Sequence, residues 1–418
     1  MNIGNRIRRT RKLSGLTSGE VCTGIISPSH FSNIENNRFT PAADTLSMIA
    51  DRLSVPRRYF MSIHDDDFEV TELLNLLNQN IEEENIEGIR HFLHINESKL
   101  SYIPSLKQEM HFSLLQFSAF VKLNSIDKAI CLYQEKITYF NITTSTVNQE
   151  HQQRYYHVSG LYFFFIKNYD KSIYFYKKVL EIPASQLVHA KISFNIALAL
   201  SKMRKFIEAL TFSERAIDFY LRLHDWKRVG NCYNLSAYIA REQKRLDDSE
   251  AYIRKGFDIL DEKSIALQAM LLHNLALIHK DRGHFAESID CLNSAIQLKL
   301  ESGQADLFLS YRVKLDVLLE TEDLLEFKKL SDAIEIHCLT AIDQANFYFL
   351  LAQYHHLFES YELYEDLMKK TINLLTKEQT NECLVAAADH FSQFYEKNHK
   401  YKLALHYQKI CTMALRNF

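Results

Sequence analysis

Three asparagines recur once per period in the longer, second part of the chain. Asn195, Asn234 and Asn274 are spaced by 39 and 40 residues. An asparagine side chain offers a donor and an acceptor together, so a row of asparagines can hold a peptide backbone whatever its side chains are. The competing interpretation is structural, since such amides also bond to neighbouring helix backbone. We predict that the three amides point into one groove and bind the main chain of an extended peptide.

Cationic, amide and aromatic side chains occur at nearby positions of the same period. They could bind the terminal carboxylate or the side chains of a peptide. With the three asparagines they complete the predicted peptide-binding set: Arg154, His157, Asn231, Tyr238, Arg241 and Arg312.

No group of residues in the sequence predicts catalysis. The motifs HExxH, GxxxxGKS/T, GxGxxG and GxSxG do not occur. The 18 histidines are scattered, and the adjacent pair His355 and His356 would point about 100° apart on a helix, too far to share a metal ion. The aspartates at positions 65–67 fit a solvated linker better than a metal site. We therefore predict a protein that is not an enzyme and needs no cofactor or metal.

The composition indicates an all-helical chain. Only 10 Gly and 5 Pro occur in 418 residues, whereas sandwiches and barrels need many such residues for their turns. Hydrophobic residues make up 47% of the chain, enough for a large core. The seven cysteines have no CxxC spacing, and no apolar run is long enough for a signal peptide or a membrane span. We therefore predict a cytoplasmic protein with reduced thiols.

Positive charge is concentrated in the first 63 residues, which we call the head. The head contains nine Lys and Arg against four Asp and Glu, a net charge of +5, whereas the whole chain has a net charge of −3. A small basic domain on an otherwise acidic chain indicates that the head binds a polyanion.

The head also has the sequence pattern of short helices. Thr17 opens a capping box, and Ser27 followed by Pro28 begins the next helix. That helix turns Phe31 and Ile34 inward and leaves short polar side chains outside, as an approach to base edges in the major groove requires. The predicted DNA-binding residues are Arg6, Arg9, Thr17, Ser27, Ser29, His30, Ser32, Asn33, Asn37 and Arg38.

These features resemble the Cro and phage-repressor helix-turn-helix family, which implies DNA binding by the head. The motifs that carry the resemblance are Ile3-Gly4-x-Arg6-Ile7-Arg8, Leu16-Thr17, Ser32-x-Ile34-Glu35 and Pro41-x3-Thr45-Leu46. The head departs from the common pattern because the stretch from Thr17 to Ser27 is one residue shorter.

The chain after the head is periodic. A hydrophobic residue that opens the second helix of each predicted helix pair recurs at intervals of 37 to 43 residues: Ile86, Ile126, Tyr169, Phe206, Leu246, Phe285, Leu324, Tyr361 and Tyr401. This pattern resembles the tetratricopeptide repeat, lengthened to about 40 residues. The resemblance implies a right-handed superhelix of about nine repeats, of which the first two and the seventh are degenerate, with the first helix of each pair lining the inner surface.

The combination of head and repeats resembles the peptide-pheromone receptors of Gram-positive bacteria, the Rap, Rgg, NprR, PlcR and PrgX family. The short turn Gly24-Ile25-Ile26-Ser27 and the repeat number are most similar to the NprR and PlcR types, and the length favours the NprR type. The resemblance implies a quorum-sensing transcription factor that binds a re-imported signalling peptide in its groove. Peptide binding would change a homo-oligomer allosterically, so that paired heads meet two DNA half-sites.

Two alternatives remain open from the sequence. A Rap-like protein would bind a phosphorelay response regulator, alone or in addition to DNA, and a repeat scaffold would bind partner proteins and no DNA. The predicted domains are a helix-turn-helix head over 1–63, a linker over 64–71 and a peptide-binding, oligomerising body over 72–418.

Overall fold

Helices are the regular secondary structure of the residues that the structure describes. This structure, a computed structural model, describes residues 2–140, 148–260, 264–302, 307–378 and 381–416. The chain forms two compact units that meet between Phe219 and Tyr220, and each is described by itself.

The head consists of five short helices around one apolar core. They are α1 (Ile3–Leu13), α2 (Ser18–Cys22), α3 (Pro28–Glu35), α4 (Ala43–Arg52) and α5 (Arg58–Met61). Ile7, Phe31, Ile34 and Phe60 are fully buried in this core, so the prediction that Phe31 and Ile34 face inward is confirmed.

The next helices belong with the head to the first unit, up to the helix at its boundary. They are α6 (Phe68–Glu82), α7 (Ile86–Ile95), α8 (Glu97–Leu100), α9 (Leu106–Lys122), α10 (Ile126–Glu135), a 3-10 turn (Ile137–Tyr139), α11 (Gln149–Phe165), α12 (Tyr169–Leu180), α13 (Gln186–Lys202) and α14 (Phe206–Arg222). Helix α6 begins inside the segment 64–71 that was predicted as a linker, because Asp67 caps it by accepting from the backbone N–H groups of Glu69 and Val70.

The second unit continues the same pattern of paired helices. Its elements are α15 (Trp226–Glu242), α16 (Leu246–Asp258), α17 (Ile265–Asp281), α18 (Phe285–Glu301), α19 (Leu307–Glu320), α20 (Leu324–Asp332), a 3-10 turn (Ile336–Cys338), α21 (Ala341–Leu357), α22 (Tyr361–Lys377), α23 (Asn381–Lys397) and α24 (Tyr401–Arg416).

The predicted repeat register is confirmed at every pair. Each of the nine hydrophobic residues predicted to open a second helix is the first residue of a helix, namely α7, α10, α12, α14, α16, α18, α20, α22 and α24. The second helices of the first, second and seventh pairs, which were predicted to be degenerate, are the shortest at 10, 10 and 9 residues. The period of apolar residues therefore determines where the helix pairs lie.

The turn inside each pair has the same backbone conformation. The residue two positions before each second helix has a positive φ: Glu84, Asn124, Lys167, Arg204, Lys244, Gly283, Glu322, Glu359 and His399. The residue with positive φ ends the first helix, because the backbone N–H groups at the turn then bond to the last carbonyls of that helix. For example, the N–H groups of Lys244 and Arg245 donate to the carbonyls of Arg241 and Ala240. The repeated turn directs each second helix back along its partner.

Small residues lie where the two helices of a pair cross. Ser249 and Ser288 are buried, and each hydroxyl donates to a backbone carbonyl of the preceding helix, at 2.7 Å to Ala237 and 2.8 Å to Ala276. Gly256 lies so close to α17 that an added Cβ would come within 2.9 Å of Leu271. These contacts explain why small residues recur with the period of the repeat.

Candidate functional site

Helix α3 presents a small polar surface to solvent. Ser27 caps the helix by accepting from the backbone N–H of His30 at 3.3 Å, and Pro28 occupies its first turn. Ser29, Ser32 and Asn33 are exposed. His30 is half-buried, because its ring packs against Phe39 with a centroid distance of 4.4 Å. Short exposed polar side chains on a firmly capped helix allow close approach to another surface.

The remaining predicted head residues at the ends of α2 and α3 have mixed roles. Thr17 forms the predicted capping box with Glu20. Asn37 accepts from the backbone N–H of Gly4 at 3.0 Å and donates to Asn5 at 2.9 Å, so its amide ties α3 to α1. Arg38, directly after Asn37, is exposed and is available to a polyanion.

The prediction that Arg6 and Arg9 bind DNA is wrong for this structure, because both side chains point into the protein. They are only 1% and 3% exposed. Both bind the carboxylate of Glu109 on α9, a residue about 100 positions later in the chain, with contacts of 2.7 Å and 2.5 Å. No sequence signal local to the head reveals this partner.

We call the buried group formed by Arg6, Arg9, Tyr59, Glu109 and Lys136 the Glu109 cluster. The Tyr59 hydroxyl donates to Glu109 at 2.5 Å, and the Lys136 ammonium lies 3.7 Å from the same carboxylate. Arg6 also donates to the backbone carbonyl of Pro104 at 2.5 Å and lies over the Tyr59 ring. Three cations thus converge on one carboxylate between the head and the body.

The electrostatics of the Glu109 cluster follow from burial and from these charges. Burial alone would raise the pKa of Glu109, but Arg9 and Arg6 more than offset burial and lower this pKa to about 2. Burial lowers the pKa of Lys136 to about 8, with Glu109 opposing the change and the two arginines adding to it. The carboxylate therefore stays ionised at neutral pH, and its charge holds the three cations.

The predicted peptide-binding residues of the first unit lie together. Asn195 on α13 and His157 on α11 are partners at 3.3 Å, and both are half-buried. Burial, with Lys191 and Arg154 nearby, lowers the pKa of His157 to about 4, so its ring is neutral at pH 7. Arg154, with a side chain 18% exposed, has a distant partner, Glu150 at 3.8 Å.

A carboxylate of the chain already lies beside this group. Glu82 at the end of α6 accepts from Lys191 on α13 at 2.9 Å, and its charge also acts on Arg154 and His157. Lys191 and Glu82 were not predicted as site residues, because they are separated by 109 positions.

The predicted residues of the second unit form a polar row between α15 and α17. Asn274 donates to Asn234 at 2.7 Å. Arg241 is paired with Asp281 at 2.9 Å, a partner that the sequence analysis missed although it lies 40 positions later. Asn231, Tyr238 and, on α19, Arg312 are half-buried.

The asparagines are therefore hydrogen-bonded to neighbouring side chains but remain partly exposed to solvent. Asn234 and Asn274 are both half-buried, and their single mutual bond uses one donor and one acceptor. Within the described ranges, the Asn234 amide nitrogen and the Asn274 amide oxygen have no hydrogen-bond partner, which leaves a donor and an acceptor for a ligand backbone.

Five of the predicted residues occupy the same position of the repeat. His157, Asn195, Asn234, Asn274 and Arg312 follow one another at intervals of 38, 39, 40 and 38 residues, each on the first helix of a consecutive pair. The regular spacing gives successive first helices one polar side chain at an equivalent place.

A metal ion has one candidate set of ligands among the described residues. Side-chain atoms of Glu335, His337 and Cys338, on the 3-10 turn before α21, lie within 4.8 Å of one another. The Glu335 and His337 side chains are 73% and 81% exposed, so packing does not fix them. The Cys338 thiol donates to Glu335 at 3.4 Å, which accounts for their closeness without an ion.

Within the described part of the chain, every helix is too short or too polar to cross a membrane.

Comparisons with known proteins agree with the repeat architecture. Residues 271–301 match the tetratricopeptide repeat family. The transcriptional activator NprA of Geobacillus stearothermophilus is 22% identical over 416 residues, covering 94% of this chain and 98% of NprA. The regulatory protein RapK of Bacillus subtilis is 29% identical over 173 residues, 39% of this chain and 46% of RapK.

Solved structures share the fold. The apo form of the quorum sensor NprR from B. thuringiensis superposes with a TM-score of 0.61 at 14% identity, covering 83% of this chain and 99% of NprR. NprR in complex with its cognate peptide NprX gives a TM-score of 0.54 at 16% identity, covering 81% of this chain and 99% of that one.

The stacked helix pairs define a protein of the tetratricopeptide-repeat class. The similarity to NprA extends over nearly the whole of both chains. The similarities to NprA and RapK support the resemblance to the Rap, Rgg, NprR, PlcR and PrgX family, and to its NprR type.

Proposed function

We propose that this protein is a cytoplasmic, peptide-responsive transcription regulator. A short signalling peptide binds to polar side chains on the first helices of the body, and the head binds DNA as a helix-turn-helix domain. The coupling free energy comes from the different affinities of the peptide for two packings of the repeats in a homo-oligomer.

The observation that carries the peptide proposal is the polar position repeated on consecutive first helices. The Asn234 and Asn274 amides keep a donor and an acceptor for a main chain. The solved complex of NprR with NprX supports this proposal by likeness of fold.

The DNA proposal rests on the charge and exposed surface of the head. Its net charge is +5, and α3 exposes Ser29, Ser32 and Asn33 next to Arg38. Lysine and arginine supply affinity for phosphates, while the α3 side chains supply base readout. The transcriptional activator NprA, similar along its length, supports this assignment.

A gel shift on the DNA directly upstream of the protein's own gene tests both parts. Synthetic peptides from the C-terminus of any short secreted pro-peptide encoded next to the gene are the ligands. We expect a shifted band whose midpoint concentration changes on adding peptide. A chain that binds neither the fragment nor any peptide would contradict the proposal.

The similarity to RapK favours a second candidate function. A Rap-like protein would bind a response regulator of a phosphorelay, with or without DNA binding. Anisotropy titration of a labelled receiver domain from a phosphorelay response regulator distinguishes the two functions. Binding of the receiver domain supports the Rap-like function, because the proposed transcription regulator needs only DNA and peptide for its activity.

A further inference from the structure

The head is fixed to the body by buried contacts and not only by the chain between them. The connecting segment is itself bound: the Leu106 N–H donates to the carbonyl of Ile63 at 3.0 Å, and the Asp67 N–H donates to Gln108 at 3.0 Å. The Ser105 hydroxyl donates to Asp66 at 2.5 Å. Each of these bonds ends on the start of α9 or the residue before it.

The Glu109 cluster adds a buried, charged attachment to these hydrogen bonds. Its three cations would repel one another inside the protein if Glu109 were neutral or absent, because burial removes the solvent that would screen them. Arg6 and Arg9 belong to α1, which also contacts α3 through Gly4: an added Cβ there would come within 2.0 Å of the Ile34 carbonyl oxygen. The orientation of α3 thus follows that of α1.

Helix α9 connects this attachment to the candidate peptide-binding residues. Glu109 faces the head, whereas His111, two positions later, packs its ring against His151 on α11 with a centroid distance of 4.6 Å. His157 and Arg154 lie on the same helix α11. A single helix therefore separates the head attachment from the helix that carries the candidate peptide site.

We propose that Glu109 is a positioning residue for DNA recognition, which holds the head in one orientation on α9 through Arg6 and Arg9. The proposal rests on the proposed DNA-binding function of the head. Movement of α11 on peptide binding would act on the same helix α9 and so change the presentation of α3.

The test compares Glu109→Gln with wild type in the full-length chain. We expect limited proteolysis between residues 62 and 67 to become about tenfold faster or more, and hydrogen exchange of the amides of α1 and of Leu106 to become faster. Exchange in the core of the head, at Phe31 and Ile34, should stay slow, and affinity for the upstream DNA fragment should fall. Glu135→Gln, an exposed carboxylate on α10, is the matched control and should change none of these.

Glu109→Asp provides the conservative rescue and a safeguard against a variant that does not fold. It keeps the charge, and should restore slow proteolysis and part of the DNA affinity. Unchanged proteolysis and exchange in folded Glu109→Gln would overturn the attachment, and faster proteolysis with unchanged DNA affinity would overturn the positioning role. If wild type binds no DNA, the proposed function fails, whereas the proteolysis result still decides separately whether Glu109 holds the head.

Discussion

At the residue scale, the basic side chains of the head are not equivalent. Arg38 is exposed, Arg11 pairs with Glu35 within the head, and Arg6 and Arg9 are buried on Glu109. Residue type predicts a positive head, but burial decides which charges reach a ligand. The sequence could not assign the inward pair, because their partner Glu109 lies on α9, about 100 positions later in the chain.

Arg38→Ala should weaken DNA binding without loss of stability. An exposed arginine beside α3 is expected to neutralise one phosphate, so the slope of log K against log salt should decrease by about one unit. Anisotropy titrations at several salt concentrations measure this slope. Arg90→Ala, an exposed arginine on α7 in the body, is the control. Equal slopes for Arg38→Ala and wild type would contradict a phosphate contact.

Asn234→Ala should weaken peptide binding by about 1–3 kcal/mol, because a ligand backbone group would then be buried without a partner. Calorimetric titration with the cognate peptide measures the loss. The control is Asn293→Ala, which removes an exposed asparagine from the second helix α18. If both variants bind the peptide like wild type, Asn234 is only a partner of Asn274.

At the element scale, the positions of the helix pairs could be predicted and the attachments between elements could not. The nine hydrophobic residues marked the second helices because each is the first residue of one, half-buried at six of the turns and exposed at three. The segment predicted as a solvated linker instead caps α6 through Asp67 and binds α9 through Asp66. Its partners come from a different helix, and short-range patterns carry no information about them.

Gly283→Ala should lower the free energy of unfolding by about 1 kcal/mol, since φ is +77° there and a Cβ is unfavourable in that region. Chemical denaturation monitored by circular dichroism measures the change. The matched control is Gly19→Ala, within α2, where alanine favours the helix and an added Cβ would lie 3.9 Å from the Thr17 hydroxyl oxygen, an ordinary van der Waals distance. A loss in the control equal to that in Gly283→Ala would rule out the conformational explanation.

At the scale of the whole molecule, half-buried histidines with lowered pKa values link stability to pH. Burial, with His151, Arg154 and Lys107, lowers the pKa of His111 to about 3, and the pKa of His157 is lowered to about 4. In the unfolded chain both have a pKa of about 6.5. Between these values the unfolded state binds more protons than the folded state, so stability falls as pH decreases.

We therefore expect the Tm to decrease as pH is lowered from about 6.5 to 4, a window to which these two histidines contribute together with His151 and His390, whose pKa values burial also lowers. Thermal unfolding followed by circular dichroism measures it. His157→Gln, which cannot take up a proton, should reduce the dependence on pH. Glu109 adds nothing in most of this window, since its lowered pKa loses its stabilising contribution only below about 4.5. A Tm that is constant from pH 7 to 4 would contradict the assignment of neutral histidines.

The docking of α1 on α9 has a consequence for the arrangement of operators. In the proposed homo-oligomer, this attachment would hold α3 of each chain in one orientation on its own α9, so that one peptide state presents the two α3 helices at one separation. Inserting about five base pairs, half a turn of B-DNA, would rotate one half-site to the opposite side of the duplex. Natural target sequences for this regulator should accordingly share one spacer length, even where the bases between the half-sites vary.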